Sequence, residues 1–202
     1  ESLRGYETVL VYSWGASAFS AALYQSRGSG FRPIAQDGNR ALGGDDVDAA
    51  ISAAILAAWA EQTGGDLPAD EAQFFQRVAA EAEAAKRTLA TGRAASVALR
   101  TLLGEKTPKV LRTVSLTVSP EIFSDAIAPM TSETLRLATE VLGTGGRAKP
   151  DAVLTVGGMA LLPSVKKMLE ERFQAPLLHA DDGGVAIGAA LYGTTVAQAE
   201  WE

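Results

Sequence analysis

At 202 residues the chain is long enough for one sizeable hydrophobic core or two small ones, and its 47% hydrophobic content is that of a globular protein rather than a disordered one. A formal net charge of −6 works against nucleic-acid binding, which needs a basic surface to neutralise phosphates. The absence of Cys removes disulfides, thiolate nucleophiles and zinc-thiolate sites and fits a reducing cytoplasm, while a single His argues against a His-based metal site or triad.

The opening residues Glu1 to Tyr6 lack the basic start and apolar run of a signal peptide, and with no initiator Met before the first strand the chain reads as an excised domain. Three strands are predicted at Thr8 to Tyr12, Phe19 to Gln25 and Phe31 to Ile34, the last two joined by Ser26-Arg27-Gly28-Ser29-Gly30, a hairpin signal. Gln36-Asp37-Gly38-Asn39 predicts a turn. Gly43-Gly44 introduces Asp45, Asp46 and Asp48 at the head of a helix reaching about Gln62, where acidic residues suit the exposed amides of a first turn. Its most apolar part, Ala49 to Ala60, is well short of the roughly 20 residues that cross a bilayer.

Thr63-Gly64-Gly65-Asp66-Leu67-Pro68 breaks that helix, and Asp70 with Gln73 makes a capping-box-like start to another that runs to about Leu89. Phe74, Phe75, Val78, Ala82, Ala85 and Leu89 form its apolar stripe. Strands are expected at Ala95 to Leu103 and Lys109 to Val118, across Gly104-Glu105-Lys106-Thr107-Pro108. Ser119-Pro120-Glu121 opens a long helix to about Leu142, ended by Gly145-Gly146. The closing unit is a strand at Ala152 to Val156, a helix at Pro163 to Phe173, an extended piece at Leu177 and Leu178, where His179 has a structural role, and a helix from about Gly184 to Ala199. Strands that first meander and then alternate with helices give a mixed α/β sheet.

The chemistry concentrates where an apolar strand, Leu154-Thr155-Val156, runs into Gly157-Gly158-Met159 and then into the helix at Pro163. A Gly pair lets backbone approach a base or phosphate where a Cβ would clash, although many such pairs are ordinary strand-to-helix turns. Likewise Glu83 and Lys86, three apart on one helix face, can hold a diol from two sides or form a solvated ion pair worth a few tenths of a kcal/mol.

Taken in order, Ser13-Trp14-Gly15-Ala16-Ser17, Leu42-Gly43-Gly44-Asp45-Asp46, Glu83-Ala84-Ala85-Lys86-Arg87 and the Gly157-Gly158 turn resemble the second lobe of the ATPase domain of the heat shock protein 70 (DnaK) family. The resemblance covers nearly the whole chain and about half of that domain. It implies an actin-like ATPase fold of the ribonuclease H-like type, lobe II only: a mixed sheet with flanking helices, in a larger subdomain of residues 1–43 and 113–202, plus a smaller α+β subdomain of residues 44–112. Lobe I is absent. The implied cofactor is ATP or ADP, with Mg²⁺ only if lobe I supplies the ligands.

The resemblance places Gly15 and Ser17 in the phosphate loop, Glu83 and Lys86 at the ribose hydroxyls, Arg87 by the base, and Gly157, Gly158, Met159, Leu161 and Asp182 around the adenosine. The family's loop reads Asp-Leu-Gly-Gly-Gly-Thr-Phe-Asp. Here Ser13 and Ser20 stand where it has carboxylates and Ala18 where it has Thr, so no catalytic or metal-ligating residue is assigned and hydrolysis is expected to be weak or lost. Met159 replaces a Ser and Leu161 an Arg that stacks on adenine, which leaves apolar side chains to sandwich the base. Ala90 and Gly183-Gly184 also depart from the pattern, and Gly188 is expected at a close helix-to-sheet contact. The reading is a divergent DnaK-like chaperone's ATP-binding domain, with an exchange factor or co-chaperone at the smaller subdomain and no membrane partner. Its rivals are a non-catalytic interaction scaffold with a vestigial site, which would tolerate Ser13, Ala18 and Ser20 but has no use for Glu83 and Lys86, and another actin-superfamily member.

Overall fold

A computed structural model describes residues 3, 5–28, 30–65, 68, 71–103, 110–180 and 183–199. Its elements are β1 (Thr8–Trp14), β2 (Phe19–Arg27), β3 (Gly30–Asn39), α1 (Gly44–Thr63), α2 (Glu71–Leu89), β4 (Ala95–Leu103), β5 (Val110–Val118), α3 (Pro120–Thr144), β6 (Ala152–Val156), a 3₁₀ turn at Gly158–Leu161, α4 (Pro163–Phe173), β7 (Leu177–His179) and α5 (Gly184–Ala199). Contacts divide the chain into one unit of residues 1–40 and 134–202 and another of residues 41–133.

The first unit is built on a five-stranded sheet ordered β3-β2-β1-β6-β7. β1 pairs antiparallel with β2 and parallel with β6, and β6 runs parallel to β7, so the sheet is mixed as expected. Period-two alternation sends Tyr12 and Trp14 of β1 and Phe19, Ala21 and Leu23 of β2 into the core, while Ser20 faces solvent. Tyr12 and Phe19 meet edge to face with centroids 4.8 Å apart, and the Tyr12 hydroxyl donates to Thr134 Oγ1 at 2.6 Å. Burial pushes the Tyr12 phenol well above its ordinary value, with the Thr134 bond opposing. Leu137, Ala138, Val141 and Leu142 of α3 add a second layer, and Val165, Leu169 and Phe173, four apart, form the buried stripe of α4. In α5, by contrast, Val185, Ile187, Leu191 and Tyr192 are exposed.

The second unit is α+β. Val47, Ile51, Ile55 and Trp59, each four residues on, give α1 one buried stripe, which meets Phe74, Val78, Ala82, Ala85 and Leu89 of α2. The Trp59 and Phe74 rings lie 4.8 Å apart. Phe75 departs from the expected stripe, being 40% exposed, because it stands one residue, about 100°, round the helix from Phe74. The β4–β5 hairpin, in register from Ala95↔Val118 to Leu103↔Val110, completes the core with Val97, Leu99, Val114 and Leu116.

Some expectations are corrected. Gln36–Asn39 is strand, not turn: Ser20 pairs with Gly38, where a Cβ would lie 2.6 Å from the Phe19 carbonyl oxygen, so the glycine permits the ladder instead of ending it. β1 continues past Tyr12 to Trp14 because Trp14 pairs with Phe19. Gly188 meets nothing within 4 Å of a built Cβ and is no close contact. Asp70 and the connector of residues 104–109 lie outside the described residues; at the head of α1 the Gly43 N–H donates to Asp46 Oδ2 at 2.8 Å, one half of a capping box, since Gly43 has no side chain to complete it.

Candidate functional site

β1, β6 and β7 run parallel and end along one edge of the sheet, at Trp14, Val156 and His179. In open α/β sheets ligands bind outside such carboxyl ends. The first loop on this edge is the tight turn of residues 15–18, closed by the Gly15 N–H donating to the Ala18 carbonyl at 3.1 Å, with Ala16 and Ser17 exposed. Ser13 and Ser20 stand directly opposite each other in the ladder beneath it. Two neutral hydroxyls therefore occupy the positions where the resemblance would place carboxylates.

The second loop leaves β6 through Gly157, whose φ of 90° and ψ of 155° belong to a region that only glycine enters freely. A Cβ there would lie 2.5 Å from the Trp14 carbonyl oxygen and 3.1 Å from the Gly15 nitrogen. Gly157 is thus required by backbone packed on backbone, which brings the two loops side by side. Gly158 faces open space. The Met159 side chain, expected as a base platform, is core at 5% exposure, whereas Leu161 is half-buried. His179 Nδ1 lies 3.1 Å from the Thr155 carbonyl oxygen, which can only accept, so Nδ1 carries the proton and donates. Thr155 Oγ1 in turn donates to the Leu178 carbonyl at 3.0 Å, fixing the end of β7 to β6.

Glu83, Lys86 and Arg87 belong to the second unit, and of the three Glu83 and Arg87 lie on the exposed side of α2. Glu83 and Arg87 form an i,i+4 pair at 3.2 Å with side chains 59% and 79% exposed, open to a ligand and weak as a stabiliser. Lys86 is different. Its ammonium donates to Asp48 Oδ2 at 2.6 Å and to the Gly44 carbonyl at 3.2 Å, and its side chain is 18% exposed. Sequence reading takes Asp48 only as an acid near the head of α1; no local pattern links it to a lysine on the next helix.

Asp182 lies outside the described residues. Among the described residues no three His, Asp or Glu side chains are placed to hold a metal ion, and no helix is long and apolar enough to cross a membrane. With hydroxyls at Ser13 and Ser20, the residues present do not fit Mg²⁺ on their own. A shallow depression of about 590 Å³ lies on the outer face of β1 to β3, lined by Val11, Ser20, Tyr24, Gln36 and Arg40 among others.

A family profile described as Hsp70 protein matches residues 3–200. Two ribosome-associated molecular chaperones of Saccharomyces cerevisiae are each 30% identical to the chain over 191 residues, a span covering 92% of this chain and 30% of each relative. A ribosome-associated molecular chaperone of Eremothecium gossypii is 29% identical over 189 residues, covering 91% of this chain and 30% of that relative. The chain thus spans about a third of the length of the curated relatives it matches.

Proposed function

The chain belongs to the Hsp70 family, and with it to the actin-like ATPase fold, and from that premise we propose that it is the second lobe of a chaperone's nucleotide-binding domain. In this reading it keeps an adenosine-binding face and contributes little or nothing to ATP hydrolysis. Glu83 accepts from the ribose hydroxyls, Lys86 donates to them and Arg87 lies along the base, while Gly15, Ser17, Gly157 and Gly158 offer backbone to phosphates and base, joined by Leu161 and Asp182. The open surroundings of Gly158 and the exposed carboxylate of Glu83 fit such a ligand. ATP or ADP, when bound, would supply the phosphoryl chemistry of the family; Ser13 and Ser20 supply no charge to organise a metal for it, and that single observation carries the weak-hydrolysis part of the proposal. The smaller unit, which carries Glu83 and Lys86, is where an exchange factor would act to loosen nucleotide.

Calorimetric titration of ADP and ATP tests this. The chain by itself should bind both more weakly than micromolar, because affinity in a two-lobed site depends on closure around the ligand. Glu83→Ala should weaken binding a further ~3- to 10-fold, the worth of one hydrogen bond. No detectable binding of either nucleotide would favour the rival scaffold reading, for which Ser13 and Ser20 speak. Mg²⁺-dependent phosphate release by the whole protein at the rate of an active chaperone would overturn the loss of hydrolysis.

A further inference from the structure

The pair between Asp48 and Lys86 is the least exposed of the ion pairs seen among the described residues, with side chains 20% and 18% exposed, and it joins α1 to α2 across 38 positions of sequence. Stability is a poor account of it. Taking two charges partly out of water costs about what their attraction returns, and apolar residues of similar size would hold the helices as well. The pair is also incomplete: Asp48 Oδ1 is buried and, among the described residues, accepts no hydrogen bond.

What the arrangement does accomplish is to fix a flexible side chain. A lysine ammonium sits on a four-carbon stem with several rotamers to lose and has three donors. Two of the three are committed here, one to Asp48 Oδ2 and one to the Gly44 carbonyl, both on the first turns of α1. The third N–H is then fixed in direction by the tetrahedral geometry of nitrogen. Lys86 and Glu83 are one turn apart on α2, neighbouring positions of the helix, the Lys86 ammonium held toward α1 and the Glu83 carboxylate exposed. We propose that Asp48 is a positioning residue for the nucleotide: it holds the Lys86 ammonium, with one donor left over, in the place where a ribose hydroxyl binds. The inference rests on the adenosine-face reading given above and adds to it a residue on another helix. Asp48 need not touch the ligand. Its part is to spare binding the cost of ordering Lys86.

Calorimetry with ADP and with 2′-deoxy-ADP, on the chain and on Asp48→Asn, Lys86→Gln and the double variant, tests this. Asp48→Asn should lose ~3- to 10-fold in ADP affinity, the range for one hydrogen bond. The same variant should bind 2′-deoxy-ADP nearly as the unaltered chain does, so the preference for the ribose hydroxyl shrinks. The double variant should bind ADP no worse than Lys86→Gln, since Asp48 acts through Lys86. A purely structural pair would weaken both ligands equally or neither, and either result, or additive losses in the double variant, would overturn the proposal. ADP binding weakened by Lys86→Gln and unchanged by Asp48→Asn sinks the Asp48 inference while sparing the nucleotide reading; no binding of ADP to the unaltered chain sinks both. Should Asp48→Asn fail to fold, nitrogen-15 spectra of the unaltered chain decide. A held Lys86 ammonium should give a resolved signal that shifts with ADP and not with 2′-deoxy-ADP, and the same response to both would refute it.

Discussion

Thr8 and Asp151 hold each other from both directions at the start of two parallel strands. Asp151 Oδ2 accepts from the Thr8 N–H at 2.8 Å and from the Thr8 hydroxyl at 2.9 Å, while the Asp151 N–H donates back to the Thr8 carbonyl at 3.0 Å. The backbone bond from Thr8 is the main reason the Asp151 carboxyl titrates below its ordinary value; partial burial opposes it, and the Thr8 hydroxyl and Arg147 assist. A carboxyl depressed in the folded state binds fewer protons there than in the unfolded chain. Its contribution is therefore complete above the unfolded value of about 4 and is lost as pH falls through the lower, folded value. Because Asp151 is largely exposed, solvent screening keeps that contribution below about 1 kcal/mol. Urea unfolding at pH 7 and pH 3 should show Asp151→Asn less stable than the unaltered chain at pH 7 and closer to it at pH 3. An unchanged gap at the two pH values would mean that the charge of Asp151 does not matter.

At the scale of elements, local punctuation decides what can be read. β6, α4 and α5 have the bounds expected of them because Pro150, Gly157, Pro163, Gln174-Ala175-Pro176 and Gly183-Gly184 bracket them locally. β3 escapes such a reading because Asp37-Gly38-Asn39 carries a turn's composition, while its strand state is settled by pairing with β2, a contact no local pattern records. The candidate site follows the same division. Glu83 and Arg87, four apart, are legible as a pair, whereas the Lys86 link to Asp48 and the burial of Met159 depend on which helix or sheet packs opposite. Gly157 shows both sides: its presence signals a loop, but its necessity comes from the Trp14 carbonyl of a strand more than 140 residues earlier. Gly157→Ala should consequently cost about 1–3 kcal/mol for the backbone region alone, and more for the clash with β1. Gly158→Ala, with nothing nearby, should cost well under half as much. Equal midpoints for the two variants in urea would show that the β1–β6 junction relaxes freely.

For the whole molecule, the division into two contact units, each with its own core, sets the cooperativity. The first unit closes around Trp14, Tyr12 and Phe19, and the second around Trp59 and Phe74, so each contains one fully buried tryptophan. Trp201 lies outside the described residues and is replaced by Phe in both reporters. Adding Trp59→Phe leaves Trp14 to report on the first unit, and adding Trp14→Phe leaves Trp59 to report on the second. A chain whose cores are separate need not melt in one step, since two-state behaviour is a property of single cores. The two reporters should give different urea midpoints. Introducing Gly157→Ala, a change within the first unit, should lower the midpoint seen by Trp14 and leave that seen by Trp59 unchanged. That separation matters for function, because Asp48, Glu83 and Lys86 share the second unit with Trp59, while the loops of Gly15 and Gly157 share the first with Trp14. Saturating ADP should then raise both midpoints if nucleotide draws on both sets of residues, since a ligand stabilises every unit whose unfolding releases it. One transition common to both tryptophans and shifted equally by Gly157→Ala would show a single cooperative unit; ADP raising the Trp14 midpoint alone would remove the ribose from the face of α2.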